Sequence, residues 1–321
     1  PPSSHLLSSP LVASLAATLF SLTPYRISQL YVRAAYLELA ATSFIPFAFW
    51  GVSLIFTALH KKSNTLYGFV ITTVSLGLMI IMHQPTFMMT VPALMLWILT
   101  LAFLTPSKIR TSIALSTIVA SLLLVSSFIL PLIGERAFIR QDGLSSGYFD
   151  FHQHFATFSQ MVYSAWGYGI SQLGQNDGMS FQVGVINWIV LACAFGMFLY
   201  DQLFKKKSFS LSPFQQASIL FFLVIIAYGV FMSTATSLPL WERFSVLAFI
   251  QYPWRYLAIT TFATSALVVF TAPIIPKRYL PFFFIIIIVF NWKYLAPSTY
   301  LPDDTFIIGS NNFPKTNPLY G

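Results

Sequence analysis

Residues 86–104 read TFMMTVPALMLWILTLAFL, a run of nineteen residues that contains no charged side chain. An α-helix of roughly 20 apolar residues is long enough to cross the ~30 Å hydrocarbon layer of a bilayer. Helices are the natural spanning element, because hydrocarbon offers no partner to a free backbone N–H or C=O group. Similar apolar runs recur along the 321-residue chain. The pattern therefore predicts an all-α fold, a polytopic membrane bundle of transmembrane helices.

Nine membrane-spanning segments are predicted from these runs. They cover residues 7–23, 34–58, 66–82, 86–104, 112–132, 183–204, 214–234, 255–273 and 279–292. We therefore interpret residues 1–292 as the transmembrane domain and residues 293–321 as the start of a truncated extracytoplasmic segment. The chain begins without Met, and we expect a fragment of a longer protein that lacks its N-terminal part.

The composition argues against a soluble protein. Hydrophobic residues make up 56% of the chain and charged residues only 8%, with a mean hydropathy of +0.74. Soluble domains carry about 25% charged residues, which they need to cover a surface that faces water. The net charge is +8, but the basic residues are scattered over short loops, so no nucleic-acid partner is expected. The single cysteine, Cys193, lies in an apolar run and is predicted to be a small buried side chain.

The loop charges predict the orientation of the chain. One alternating set of loops is basic and holds Lys61, Lys62, Lys108, Arg110, Lys205, Lys206, Lys207, Lys277 and Arg278. The other set mixes both signs of charge and includes a loop of about 49 residues, 134–182. The positive-inside rule places the basic set in the cytoplasm and loop 134–182 outside. An outer aromatic belt is predicted at Tyr25, Tyr31, Trp241, Tyr252, Trp254, Trp292 and Tyr294.

The first candidate site lies at the outer end of the second segment. Arg26 and Arg33 precede this segment, and Glu38 falls about one turn inside it. Acidic side chains inside a membrane are costly, so they are often paired and functional. We interpret this group as an arginine pair that holds a lipid phosphate, with Glu38 orienting one arginine. The alternative is an anchor at the interface with a structural ion pair. The spacing of Arg33 and Glu38 suits one helix face poorly, so another arginine is an alternative partner for Glu38.

Two further polar residues stand at outer helix ends. His83 lies in the tight turn before Pro85 and either contacts a substrate or caps a helix. Arg255 follows Tyr252-Pro253-Trp254 and either binds a headgroup phosphate or anchors its helix.

Loop 134–182 interleaves aromatic, histidine and acidic residues. The candidates in it are Asp150, His154, Trp166, Tyr168 and Asp177. Aromatic faces with nearby carboxylates suit a sugar ring, which stacks on one side and forms hydrogen bonds through its hydroxyl groups. A small aromatic core under a folded lid is the alternative. Asp150, His152 and His154 also suggest a metal site, but no further ligand pair is evident, so a divalent cation stays open and no metal ligand is assigned.

Several motifs together resemble a known family. They are Pro24-Tyr25-Arg26 with Arg33 and Glu38, Gly147-Tyr148-Phe149-Asp150 with His154, Trp166-Gly167-Tyr168-Gly169, Asp177-Gly178-Met179-Ser180-Phe181, and Gln251-Tyr252-Pro253-Trp254-Arg255. The chain resembles the bacterial membrane family labelled 6-pyruvoyl-tetrahydropterin synthase-related, which is similar to the C-type glycosyltransferases. The resemblance implies a protein of the bacterial inner membrane that takes its sugar from a polyprenyl-phosphate donor on the outer face. It also implies a catalytic aspartate upstream of Pro1, so no residue of this chain is assigned as catalytic.

The sequence therefore predicts a membrane glycosyltransferase of the cell envelope. Its partners would be membrane lipid and a polyprenyl-phosphate sugar donor. No Walker, GxGxxG or GxSxG motif appears in a suitable context, which disfavours a nucleotide-driven pump or a soluble-type hydrolase. The rival hypotheses are a lipid or polysaccharide transporter and a non-catalytic membrane assembly protein.

Overall fold

The computed structural model describes residues 10–57, 62–135, 138, 146–173, 177–204 and 210–298. Within these ranges every named element is helical, and the isolated antiparallel bridge between Tyr168 and Met179 is the one strand-like pairing. The all-α prediction is confirmed for this part of the chain.

The described residues of the first half of the chain form eight α-helices. They are α1 (Pro10–Ser21), α2 (Pro24–Tyr31), α3 (Tyr36–Ser43), α4 (Ile45–Thr57), α5 (Lys62–Met82), α6 (Gln84–Leu104), α7 (Lys108–Leu124) and α8 (Ser126–Gly134).

The part of the second half that the structure describes adds seven α-helices and several short 3₁₀ turns. The helices are α9 (Phe158–Val162), α10 (Val185–Phe204), α11 (Pro213–Ser233), α12 (Leu238–Arg243), α13 (Leu257–Ala266), α14 (Val268–Thr271) and α15 (Leu280–Asn291). The 3₁₀ turns that bear on function are Gly147–Phe149, Phe151–Gln153, Ser245–Ile250, Pro253–Tyr256 and Trp292–Tyr294.

Five helices in the described ranges are long and apolar enough to cross a membrane. They are Tyr36–Thr57, Asn64–Met82, Gln84–Leu104, Val185–Phe204 and Pro213–Ser233. Helices α7 and α8 make a sixth span if they count together, although they are bent by 64°. The sequence predicted one helix over 112–132, and the bend falls inside it at Val125.

The remaining three predicted segments correspond to shorter elements. Helix α1 has 12 residues where the sequence predicted a span over 7–23. The predicted segment 255–273 is divided into the turn Pro253–Tyr256, the ten-residue α13 and the four-residue α14. Helix α15 has 12 residues.

Helices α4 and α5 cross at very short distance because two glycines face each other. A Cβ atom at Gly51 would lie 2.8 Å from the carbonyl oxygen of Gly68, and one at Gly68 would lie 2.5 Å from that of Gly51. Small residues of this kind let the backbones of membrane helices approach closely. This pairing fixes α4, which continues the chain from α3 and its Glu38.

Aromatic side chains fill the centre of the bundle. Phe49 of α4, Phe221 of α11 and Phe262 of α13 are in ring contact, with centroid distances of 5.9 Å for Phe49–Phe221 and 4.9 Å for Phe49–Phe262. Trp97 of α6 lies 4.7 Å from Phe221 and donates a 3.0 Å hydrogen bond from its indole to the hydroxyl group of Ser53. The core thus ties the first half of the chain to α11 and α13.

The prediction of an outer aromatic belt is mostly wrong. Tyr25, Trp241, Tyr252, Trp254 and Tyr294 are buried, whereas Tyr31 and Trp292 are 39% and 69% exposed. Tyr and Trp near helix ends are expected both for an interfacial belt and for a buried aromatic wall, so the sequence does not distinguish the two. Here the buried rings pack inward against the polypeptide that covers the bundle. Cys193 also departs from expectation, since it is exposed on α10.

The described part of loop 134–182 packs against the ends of the helices. Phe151 stacks on the buried Trp241 at 5.3 Å between ring centroids, and Phe155 meets the same indole edge-on at 5.9 Å. The backbone N–H of Ala156 donates to the carbonyl of Ser233, which ends α11. Aromatic residues of the loop therefore form a small core, which was one of the two alternatives predicted for this loop.

Candidate functional site

The site begins at a break between helices α2 and α3. The backbone N–H groups of Val32 and Arg33 both donate to the carbonyl of Ser28, which closes α2. Ala34 then takes a φ of +49°, a conformation that is uncommon for a residue with a Cβ atom. This turn reverses the chain so that Arg33, which follows α2, faces Glu38 in the first turn of α3.

Glu38 is the centre of the site. Its Oε2 atom lies 2.9 Å from an Nη atom of Arg33, 3.2 Å from Nε of Arg255 and 3.6 Å from Nε2 of His83. The carboxylate is 4% exposed, so these contacts are sheltered from water. A spacing of five residues would keep Arg33 and Glu38 apart on a continuous helix. The helix is broken at Ala34, so the two side chains can meet. Both of the alternative partners, Arg33 and a second arginine, therefore bind the same oxygen.

Arg255 is held from three directions. One Nη atom donates to the carbonyl of Ile250 at 2.6 Å and to the side-chain oxygen of Gln251 at 3.2 Å, while its Nε donates to Glu38. Gln251 has a φ of +64°, which turns the backbone at the end of the 3₁₀ turn Ser245–Ile250. Arg33 is held in a similar way, because it donates to the side-chain oxygen of Gln29 as well as to Glu38.

Two stacked aromatic rings support both arginines. Tyr252 and Trp254 stack with 5.1 Å between ring centroids and 14° between ring planes. The guanidinium carbon of Arg255 lies 4.7 Å from the Tyr252 ring centroid, and that of Arg33 lies 4.5 Å from the Trp254 centroid. A cation over an aromatic face is stabilised by the quadrupole of the ring. The rings therefore help to hold two guanidinium groups of like charge beside the same carboxylate.

His83 contacts the same carboxylate as a neutral ring at pH 7. It precedes α6 as the N-cap residue, and its Nδ1 atom lies 2.8 Å from the hydroxyl group of Thr86. Burial lowers the pKa of His83 to about 4, because the contribution of Glu38 in the opposite direction is smaller. Burial also lowers the pKa of Arg33, but the charge and hydrogen bond of Glu38, together with Tyr25 and Tyr252, raise it overall, so Arg33 stays protonated.

The group carries an excess of positive charge. Arg33 and Arg255 contribute two positive charges and Glu38 contributes one negative charge, with His83 neutral. A buried charge is stable only when it is paired and hydrogen-bonded. One guanidinium charge thus remains for an anion, and bidentate donation to a phosphate or carboxylate is the chemistry for which arginine is suited.

An open cavity of about 230 Å³ lies next to Arg33. Its walls are Val32, Arg33, Tyr148, Gly169, Ile170, Ser171, Met179, Tyr252 and Trp254. Tyr148 and Tyr252 are in edge-on contact at 6.1 Å between centroids. The cavity therefore presents one cation, several aromatic faces and a hydroxyl group to any molecule that enters it.

His154 lies behind this cavity. Its ring meets Tyr148 at 5.0 Å and Tyr252 at 4.7 Å, both edge-on. Its Nδ1 atom lies 2.9 Å from the hydroxyl group of Ser171, which also accepts a hydrogen bond from the indole of Trp254 at 3.2 Å. The imidazole is 1% exposed, so it positions the aromatic wall and does not itself face the cavity.

The other predicted site residues lie outside this group. Asp177 accepts hydrogen bonds from the side chain of Gln160 and the backbone of Gln172, which makes it part of a structural turn. The ring of Trp166 packs at a tilt against Tyr294, with 4.7 Å between centroids, and the Tyr168 hydroxyl group donates to the carbonyl of Ala296.

Asp150 is half-buried and lies 2.6 Å from Nδ1 of His152. Its pKa is lowered overall, because hydrogen bonds from His152 outweigh the effect of burial, which would raise it. The Nδ1 atom of His154 is bound to Ser171 instead. Within the described ranges, no three His, Cys, Asp or Glu side chains gather as they would around a metal ion.

Tyr252 and Trp254 belong to the sequence motif that ends at Arg255, but they are not among the predicted site residues. The sequence did contain a hint of this contact, because an aromatic residue three positions before Arg255 can pack against it near the start of a helix. The contact of Gln29 with Arg33 could not be predicted from the sequence, because it depends on the turn at Ala34.

Arg26 lies apart from Glu38. It donates to the hydroxyl groups of Thr42 and Ser43 and packs over Phe20 at 4.2 Å.

Comparisons with protein-family models, with curated proteins and with solved structures found no match for this chain.

Proposed function

We propose that this chain is the membrane part of a glycosyltransferase that takes its sugar from a polyprenyl-phosphate donor. The observation that carries the proposal is the pair of buried arginines that share one carboxylate. Two guanidinium groups on stacked aromatic rings with a net charge of +1 match the single negative charge of a phosphodiester. The adjacent aromatic cavity matches a sugar ring, which binds proteins through stacking and hydroxyl hydrogen bonds.

The same proposal includes the location and the topology. Nine spans would place loop 134–182 and the arginine pair on the extracytoplasmic side of a bacterial inner membrane, with the basic loops in the cytoplasm. A polyprenyl donor would then enter from the outer leaflet with its phosphate at the level of Arg33. This arrangement is supported by the charges of the loops and by the exposed apolar faces of the long helices.

The test is binding of polyprenyl phosphate to the full-length protein in proteoliposomes, compared between wild type and Arg33→Gln. Arg255 still pairs with Glu38 in this variant, so the site keeps its fold. A charge-assisted hydrogen bond contributes about 1.5–3 kcal/mol, so we expect at least about a tenfold weaker affinity. Arg278→Gln is the matched control, because Arg278 is an exposed cation packed on Tyr279 at 4.7 Å, away from the site.

Unchanged affinity in Arg33→Gln would contradict the phosphate assignment. Binding of polyprenol without its phosphate at equal strength would contradict it as well. Sugar transfer is then measured with a panel of radiolabelled polyprenyl-phosphate hexoses, and phosphate binding without transfer from any of them would favour a lipid transporter. The break of 64° between α7 and α8 is the feature that favours this second candidate, since transporters often use broken helices.

A further inference from the structure

A second cavity of about 210 Å³ lies between the start of α10 and the end of α15. Its lining includes Gln182, Asn187, Asn291, Lys293 and Tyr294, and we name it the amide crevice. The amide crevice shares no lining residue with the cavity beside Arg33. It therefore needs an explanation of its own.

The polar walls of the amide crevice are rigidly held. Asn187 donates to the hydroxyl groups of Thr264 at 2.9 Å and Ser265 at 3.2 Å, and Asn291 donates to the carbonyl of Ile287 at 2.8 Å. Gln182 is 2% exposed and accepts a hydrogen bond from the hydroxyl group of Tyr294. Side chains fixed by hydrogen bonds on the protein side keep a defined shape for a polar ligand.

The electrostatic character of the amide crevice is positive. Lys293 lies on its rim with Nζ 4.9 Å from the Tyr294 ring centroid. Val185, Ile186 and Asn187 line it as the first turn of α10, a helix of 20 residues, where N–H groups point out of the helix. Gly184 has a φ of +113°, and a Cβ atom there would lie 2.9 Å from Pro24, so this wall tolerates no side chain. The described lining contains no acidic residue.

One side of the amide crevice is apolar and open. Phe290 of α15 and Val185 of α10 belong to its lining and are 54% and 49% exposed. Exposed apolar residues continue along both helices, with Ile189 at 55% and Val289 at 65%. A polar, cationic recess that runs into two exposed apolar helix faces has the amphipathic pattern of a phospholipid site.

We infer that the amide crevice binds the headgroup of an anionic, hydroxyl-bearing phospholipid, with its acyl chains on the exposed faces of α10 and α15. Lys293 and the first turn of α10 contact the phosphate, and the amides of Asn187 and Asn291 face the hydroxyl groups. This lipid site is separate from the arginine pair and does not depend on the proposed transferase activity.

The test is native mass spectrometry of the full-length protein in detergent, with dioleoyl phosphatidylglycerol and dioleoyl phosphatidylcholine as competing probes. We expect phosphatidylglycerol to bind at least fivefold more tightly, and Lys293→Glu to remove that preference. Arg278→Glu is the matched charge control, because it reverses an exposed cation near the opposite end of the same helix and should change affinity less than twofold.

A second variant tests the cavity without changing charge. Val185→Trp fills the amide crevice and should weaken phosphatidylglycerol binding about tenfold, whereas Leu203→Trp, at the far end of α10, should leave it unchanged. Equal binding of the two lipids, equal effects of Lys293→Glu and Arg278→Glu, or equal effects of the two tryptophan variants would each overturn the lipid site. Binding of glycerol 3-phosphate as tight as that of the whole lipid would also overturn it, since acyl chains would then contribute nothing.

Discussion

A single carboxylate oxygen, Oε2 of Glu38, is the point at which four separate parts of the chain meet. It contacts Arg33 from the turn after α2, His83 from the start of α6 and Arg255 from the 3₁₀ turn before α13. Glu38 itself lies in α3. Because Glu38 neutralises only one of the two arginines, the group keeps one excess positive charge, and the proposed phosphate binding depends on that charge.

Replacing Glu38 with Gln should destabilise the fold. The substitution leaves two buried guanidinium groups without their counter-ion, and breaking a buried ion pair from one side costs about 3–5 kcal/mol. Thermal unfolding in detergent, followed by tryptophan fluorescence, should show a clearly lower Tm. Glu242→Gln makes the same chemical change at a side chain that is 57% exposed, and it should shift stability by no more than about 0.5 kcal/mol. Equal shifts in the two variants would refute the central position of Glu38.

The buried ring of His83 should make the stability of the fold depend on pH. Its pKa is about 4 in the fold and 6.5 in the unfolded chain, mainly because burial disfavours the charged ring. As the pH falls from 6.5 toward 4, His83 binds a proton in the unfolded state but not in the folded state. The free energy of unfolding therefore decreases in this window and increases again as the pH rises. The contribution is on the order of 3 kcal/mol. His83→Asn keeps a good N-cap residue and should flatten the stability curve relative to wild type between pH 4.5 and 7. Parallel curves for the two proteins would contradict this assignment.

Sequence reasoning at the residue scale identified the charged members of the site and missed their supports. A charged side chain at the end of an apolar run is visible because burying it is costly, which is why Arg33, Glu38 and Arg255 stood out. Asp177 and Trp166 were also predicted, and they lie outside the group around Glu38, with Asp177 bound to Gln160 and Trp166 packed against Tyr294. A turn aspartate and a ligand-binding aspartate have the same local sequence, so only the contacts distinguish them.

At the scale of elements, the crossing of α4 and α5 is the most constrained feature. Gly51→Ala would place a Cβ atom 2.3 Å from the hydroxyl oxygen of Thr72 and 2.8 Å from a backbone carbonyl. Overpacking of this kind costs about 1–3 kcal/mol, so we expect a lower unfolding midpoint. Gly196→Ala in α10 meets nothing within 4 Å and should be neutral or stabilising by up to about 1 kcal/mol. If both variants behaved alike, the close crossing would not be present in solution.

Apolar run length predicted the long helices well and the broken ones poorly. The structural limits of α6, Gln84–Leu104, lie within two residues of the predicted 86–104. The predicted span 112–132 is bent at Val125, which no proline or glycine marks. The predicted span 255–273 starts as a 3₁₀ turn, because Pro253 and the contacts of Arg255 with Ile250 and Gln251 hold the chain there in a different conformation. Hydropathy measures how well a segment tolerates lipid, and it does not report where tertiary contacts interrupt a helix.

At the scale of the whole molecule, the loop charges predict which residues share a side of the membrane. Cysteine labelling can test this prediction, because the chain has one native cysteine, Cys193, to replace with Ala. Tyr163→Cys, at a position that is 67% exposed, should react with a membrane-impermeant maleimide in intact cells. Lys108→Cys and Arg278→Cys should react only after permeabilisation. Reaction of all three in intact cells would contradict the nine-span topology.

The bundle could be predicted as all-helical because long apolar runs with few charges favour helices, which satisfy their own backbone hydrogen bonds. The interior position of the aromatic residues could not, since an interfacial belt and a buried wall both place Tyr and Trp near helix ends. Burial of Tyr252 and Trp254 depends on the part of residues 146–184 that lies over the helices, and no local pattern encodes that contact.

The ion pair between Glu38 and Arg255 joins residues that lie 217 positions apart in the chain. A ribosome adds about 5–20 residues per second, so Glu38 is made on the order of tens of seconds before Arg255. During that interval the nascent chain inserts with Glu38 and Arg33 in place and the second arginine still unsynthesised. Assembly of the ion pairs around Glu38 is therefore tied to synthesis of Arg255, and a ribosome that stalls before this residue would leave Glu38 with one arginine instead of two.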